Sequence, residues 1–243
     1  MIYQTFAQLY DELFDPEEYQ NWLDYTNSRV HGKNLKWLEL ACGTGHLAIN
    51  LLKQGQDVTG FDLSEEMLSL AENHAVEEGV DLPLIQGNML DLSGLEQYQV
   101  VSCYADSFCY LPSLNEVQEA FQQVAQHLKK DGQFIFDVIT PYQTDEVYPG
   151  YMFNYQDEDK SFLWSSFGVD DGHRVEHDLT FFIKNKEGLF DKVNELHTET
   201  TYELAEYLDA LKQAGFTQIE VTTNFGESTP NDTSTRWFFN CRR

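Results

Sequence analysis

Glu39 lies in a short apolar run, Lys36 to Leu40, that leads into the turn Ala41-Cys42-Gly43-Thr44-Gly45, and Asp62 closes the next such run, Asp57 to Asp62. Glycines at a turn of this kind let backbone N–H groups come up against a ligand at the start of the following helix. Gly43-x-Gly45-x-x-Ala48 also satisfies the permissive dinucleotide pattern, so the glycines alone do not choose a ligand. Asp62 does not choose one either, because an acidic residue at the carboxyl end of the second strand accepts hydrogen bonds from any ribose diol. Glu39 does discriminate. A carboxylate just before the glycines can orient the turn and lie near a cationic amino-acid group, and it opposes a pyrophosphate.

Two later clusters also carry reactive groups. Asp106, within Cys103-Tyr104-Ala105-Asp106-Ser107-Phe108-Cys109-Tyr110-Leu111, can bind a ligand or cap its own turn. His173 and His177, beside Arg174 and Glu176, stand where a lid would meet substrate and are candidate bases, with an ordinary strand role as the alternative. Their spacing of four does not make a metal site, since no third ligand is near and the segment reads as strand. Tyr142, Tyr151, Phe153, Tyr155, Trp164 and Phe167 can line an acceptor pocket or simply pack one face of a sheet.

The elements that must position these groups follow from periodicity. Phe6, Leu9, Tyr10 and Leu13 recur at helical spacing, and Asp15-Pro16 starts a second helix. Lys36 to Leu40, Asp57 to Asp62, Leu82 to Gln86, Val100 to Ala105 and Gln133 to Val138 read as strands. Between them run helices after Gly45, after Ser64 as N-cap, and from about Asn115 to Lys130. That alternation predicts a Rossmann-like α/β fold, a mainly parallel sheet with helices on both faces and an antiparallel closing strand. Its ligands bind beyond the carboxyl ends of the strands. After Ile139 the pattern turns to alternating Tyr/Phe-rich stretches, so residues 140–199 are expected to form an inserted antiparallel β-rich lid, with 1–139 and 200–243 as the main domain.

Glu39 to Gly45, followed by Gly60-Phe61-Asp62-Leu63-Ser64-x-x-Met67-Leu68, resembles the first two motifs of the class I S-adenosylmethionine-dependent methyltransferases. Phe6-Ala7-Gln8-Leu9-Tyr10-Asp11 resembles the opening helix of small bacterial members. The resemblance implies S-adenosyl-L-methionine as cofactor. It would place Glu39, Ala41, Gly43 and Gly45 around the methionine part, Asp62 on the ribose, and Leu63 and Met67 against the adenine. Gln86-Gly87-Asn88-Met89 is similar to the third motif, with Asn88 in place of the Asp that commonly meets the adenine amino group and Met89 covering the ring. Asp106 would face the methionine ammonium or the acceptor, and Tyr10 would fold over the cofactor. Ala41 departs from the motif's first glycine.

The expected reaction is methyl transfer to an N or O nucleophile of a small molecule. An in-line displacement needs positioning above all, and no general base is assigned. Two competitors stay open: a nicotinamide-dependent oxidoreductase, and a non-catalytic adenosylmethionine-binding module that engages a partner protein. With 41 acidic and 15 basic groups the 243-residue chain carries a net charge of −26, a field that repels phosphate backbones and anionic lipid, so neither nucleic acid nor membrane is an expected partner. Four cysteines without a C-x-x-C pair and an acidic start without an apolar run fit a cytoplasmic protein.

Overall fold

The computed structural model describes residues 16–169 and 172–243. The opening helix with Tyr10 lies outside them. Helix α1 (Pro16–Arg29) precedes a βα alternation of β1 (Lys36–Leu40), α2 (His46–Lys53), β2 (Asp57–Asp62), α3 (Glu65–Glu77), β3 (Leu84–Gln86), β4 (Tyr98–Cys103), α4 (Leu114–His127) and β5 (Leu128–Ile139). Four strands follow, β6 (Met152–Gln156), β7 (Lys160–Val169), β8 (Arg174–Lys184) and β9 (Phe190–Thr200), then α5 (Leu204–Ala214), β10 (Gln218–Thr222) and β11 (Arg236–Arg242).

Seven strands form one sheet in the order β10-β11-β5-β4-β1-β2-β3. β1 to β5 run parallel, and β11 runs antiparallel to both its neighbours. The strand order reverses at β1, which lies between β2 and β4, so the crevice at the carboxyl ends of β1 and β4 is the expected ligand site. Both faces of the sheet are covered, which is why its strands read as near-continuous apolar runs. Phe134, Phe136 and Phe239 pack under Phe121 and Val124 of α4 and Tyr207 and Leu211 of α5. The alternate residues Ile135 and Phe238 face Trp22 and Tyr25 of α1.

Several boundaries differ from the sequence reading, β4 running Tyr98–Cys103 rather than Val100 to Ala105 among them, and two have a clear local cause. Helix α4 stops at His127 rather than near Lys130, because Leu128 is fully buried and pairs with Tyr98 at the start of a longer β5 that shifts register before Gln133. Strand β3 starts at Leu84 rather than Leu82, since Pro83 has no N–H for the ladder and contributes only its carbonyl, to the Gly60 amide.

Strands β6 to β9 form a separate antiparallel sheet with its own small core of Phe162, Leu179 and Phe181. A single π-helical turn, Gln143–Val147, leads into it. The Thr201 hydroxyl, donating to the Ile139 carbonyl at 2.6 Å, pins its exit beside its entry.

Candidate active site

Left-handed backbone makes the turn after β1: φ is 55° at Ala41, 53° at Gly43 and 79° at Gly45. A Cβ on Gly45 would stand 2.9 Å from the Ala71 Cβ, so this glycine allows α2 and α3 to approach. A Cβ on Gly43 would meet nothing within 4 Å. Gly43 therefore borders open space, as a backbone that approaches a ligand must. The Asp62 carboxylate accepts from the Gly43 amide at 2.8 Å and from the Ser64 amide at 2.9 Å. Ser64 in turn caps α3 by accepting from the Met67 amide at 3.1 Å.

Glu39 is buried beneath this turn. It accepts from the Ala48 backbone, and its Oε2 has no partner. Burial, reinforced by the nearby Asp62 charge, pushes its carboxyl up to about 8. Burial raises Asp62 as well, against the pull of its amide donors. The Thr44 hydroxyl is a second buried atom without a partner at the same turn. Unpaired buried polar groups and crowded carboxylates are costly in the free protein, and a cationic ligand relieves both costs.

The residues expected to line the adenine are exposed or half-buried. Leu63 is 68% exposed at the end of β2, while Met67 and Met89 are half-buried. Asn88 is exposed, and its Oδ1 accepts from the Leu90 amide at 3.0 Å, which leaves the oxygen one further lone pair.

Asp106 follows β4 with a left-handed φ of 51° and is buried. Its amide donates to Asp137 Oδ1 at 2.9 Å, and its carboxylate accepts from Arg236 at 3.0 Å. Arg236 also meets Asp137 at 3.1 Å, and Trp22 donates to Asp137 at 2.7 Å. Burial lifts the Asp106 carboxyl, with Arg236 opposing and Glu199 and Asp137 adding to the rise. Asp106 is thus neither a simple turn cap nor a free ligand group, because its carboxylate is tied across the sheet to β11.

The two histidines separate. His173 lies in the half-exposed entry to β8, with Nδ1 at 2.6 Å from Asp145 and Nε2 at 3.4 Å from Glu203. His177 is 2% exposed, and its Nε2 stands 3.7 Å from Glu199 without a hydrogen bond. Sequence reasoning missed Asp137, Glu199 and Arg236. The signal available was a charge inside the apolar run Phe134-Ile135-Phe136-Asp137-Val138, a position where an unpaired carboxylate is not tolerated. Of the aromatic candidates, Phe167 points outward at 55% exposure, whereas the Trp164 ring packs edge-on to His177.

A cleft of about 480 Å³ opens where β5 ends and β11 begins, with Tyr142, Asp145, His173, Glu203, Asp232 and Trp237 in its walls. No three ligating side chains cluster to hold a metal among the described residues. No described helix is long and apolar enough to cross a membrane.

Residues 38–132, from β1 to the start of β5, match the methyltransferase domain family. The chain is 38% identical, over 100% of its length and 98% of the relative's, to YqeM of Bacillus subtilis (strain 168), which carries a provisional methyltransferase name. An S-adenosylmethionine-dependent methyltransferase from Clostridium acetobutylicum superposes with a TM-score of 0.84 at 28% identity, over 99% of this chain and 98% of that one. The sugar N-methyltransferase KedS8 from Streptoalloteichus sp. superposes at 0.76 and 20% identity, over 100% and 93% of the two chains. With motif, sheet order and full-length relatives in agreement, the chain belongs to the class I S-adenosylmethionine-dependent methyltransferases.

Proposed function

We infer that the protein methylates an N or O nucleophile of a small molecule, in the cytoplasm. The reading rests on one observation above others: Glu39, Asp62, Asp106, Asp137 and Glu199 are all buried or half-buried near the carboxyl ends of the central strands, against the single guanidinium of Arg236. Such a set welcomes a sulfonium and an ammonium and opposes a pyrophosphate. This argues against a nicotinamide dinucleotide on the same glycine turn.

In this reading Glu39, Ala41, Gly43 and Gly45 surround the methionine part of the cofactor, and Asp62 accepts from the ribose hydroxyls with its remaining lone pairs. Leu63 and Met67 take one side of the adenine, and Asn88 and Met89 take its edge and other side. Asp106 faces the reacting end. Tyr10, outside the described residues, would close over it. When bound, the cofactor supplies an electrophilic methyl carbon on a positively charged sulfur. The protein's part is to hold the acceptor in line and to exclude water. A small-molecule acceptor is supported by the cleft of about 480 Å³ at the foot of the lid and by the sugar acceptor in KedS8's name. The net charge of −26 argues against nucleic acid.

Calorimetric titration with S-adenosylmethionine, S-adenosylhomocysteine and NADH tests the site. Saturable binding of the first two and none of the third is the expected result. Transfer of labelled methyl to a small-molecule fraction then tests the acceptor class, and label found only in macromolecules would overturn it.

A further inference from the structure

The inner face of the lid carries a buried carboxylate that the fold does not use. Glu199, near the end of β9, is 6% exposed, and its Oε2 has no hydrogen-bond partner. The nearest titratable group is His177 of β8, itself 2% exposed, with Nε2 3.7 Å away and also without a partner. His177 Nδ1 lies 3.1 Å from the indole nitrogen of Trp164 and 2.7 Å from the Ser166 hydroxyl, and the same indole stands 2.9 Å from that hydroxyl. These contacts fix the His177 ring from behind, with Nε2 turned toward Glu199.

The surroundings of Glu199 are negative on balance. From the loop after β4 comes Asp106, itself beside Asp137 of β5 and Arg236 of β11, from β8 His177, and Tyr148 and Cys109 also feel its charge. Arg236 is already shared between Asp106 and Asp137. Glu199 makes no ion pair with a described lysine or arginine, so a cation on the acceptor can meet it. The cleft at the foot of the lid has the same sign, since Asp145, Glu146, Glu203 and Asp232 line it and no lysine or arginine does.

We propose that the acceptor is an amine that enters as an ammonium, and that Glu199 takes its proton at the lid face of the site. The inference rests on the small-molecule reading above and narrows it to nitrogen. The step balances. A proton passes from R–NH3+ to Glu199 Oε2, and the freed nitrogen lone pair forms the N–C bond to the methyl group. The C–S bond breaks with its pair returning to sulfur, and Glu199 later gives its proton to solvent. Glu199 is the catalytic group.

The first readout needs no acceptor. If Glu199 is a working carboxylate left unpaired by the fold, Glu199→Gln leaves the thermal midpoint of the cofactor-free protein unchanged or raises it. A fall of more than about 5 °C would instead make Glu199 a structural partner of His177 and overturn the proposal. The second readout is transfer of labelled methyl to amino sugars and alkyl diamines, each paired with its hydroxyl counterpart. Transfer to amines is expected, falling about 100-fold in Glu199→Gln near neutral pH and recovering as the amine deprotonates in alkaline buffer. Transfer to hydroxyls alone, or an unaltered pH profile in Glu199→Gln, overturns the amine assignment and leaves small-molecule methylation standing. Label confined to macromolecules overturns the broader reading. If no panel member accepts the label, the thermal readout decides.

Discussion

The Gly43 amide donates to Asp62 Oδ2 across 2.8 Å, so the carboxylate at the end of β2 holds the turn at the end of β1 in place. Asp62 thus has two tasks, shaping the turn and, in the proposed site, receiving the ribose. Asp62→Ala should weaken S-adenosylmethionine binding at least about 10-fold, through loss of charge-assisted hydrogen bonds. Asp62→Asn keeps one acceptor oxygen and should fall between. Calorimetry on folded variants checks this, and equal affinities for all three proteins would remove Asp62 from the site.

Glu39 gives a prediction with a definite sign. Its carboxyl is raised from 4.5 to about 8 in the free protein, first by burial. Between those values the folded chain binds a proton that the unfolded chain has released, so Glu39 lowers stability progressively as pH rises through that window. Glu39→Gln should therefore raise the thermal midpoint of the cofactor-free protein near pH 8 and change it little at about pH 5. The same variant should bind S-adenosylmethionine more weakly. In the parent protein a cationic ligand beside Glu39 should drive the proton off. Binding enthalpies near neutral pH, compared in two buffers of different ionisation enthalpy, should then report proton release, and a buffer-independent enthalpy would contradict the placement.

Ala41 occupies left-handed backbone at φ 55°, where an L side chain costs about 1 kcal/mol and glycine costs none. Part of that gain is returned because glycine loses more freedom on folding. Ala41→Gly should accordingly leave stability equal or raise it by up to about 1 kcal/mol, with cofactor affinity retained. Denaturant unfolding measures it, and a loss above about 1 kcal/mol would mean the Ala41 methyl makes a needed contact.

The cofactor half of the fold was legible because its information is local. Glu39, the left-handed turn at Gly43 and Gly45, and Ser64 as N-cap each act within a few residues of their position in the chain, and the structure places them as read. Strands β6 to β9 were legible too, since alternation is a local pattern. The charged network at the end of β4 was not. Asp106, Asp137 and Arg236 meet only because β11 returns antiparallel beside β5, and no periodicity announces a contact spanning 130 positions. His173 and His177 looked like one pair four residues apart, yet one binds Asp145 at the surface and the other is buried beside Glu199.

That non-local network supplies the severest expected substitution. Asp137 is fully buried, accepts from the Trp22 indole at 2.7 Å and from the Asp106 amide at 2.9 Å, and forms an ion pair with Arg236 at 3.1 Å. Replacing two charges by apolar groups can be harmless, but removing one partner leaves the other buried and uncompensated. Asp137→Ala strands Arg236 with Asp106 alone and leaves the indole and amide donors unpaired. A cost of about 3–5 kcal/mol follows, which for a chain of this size lowers the thermal midpoint by about 10 °C or more. Arg236→Met removes the cation instead and leaves Asp106 and Asp137 facing each other, so its cost should ease as pH falls and Asp106 takes up a proton. Thermal unfolding of both variants across pH separates the cases. If Asp137→Ala proved neutral, its two hydrogen bonds and ion pair would not be holding β4, β5 and β11 together, and the position of Asp106 would need another cause.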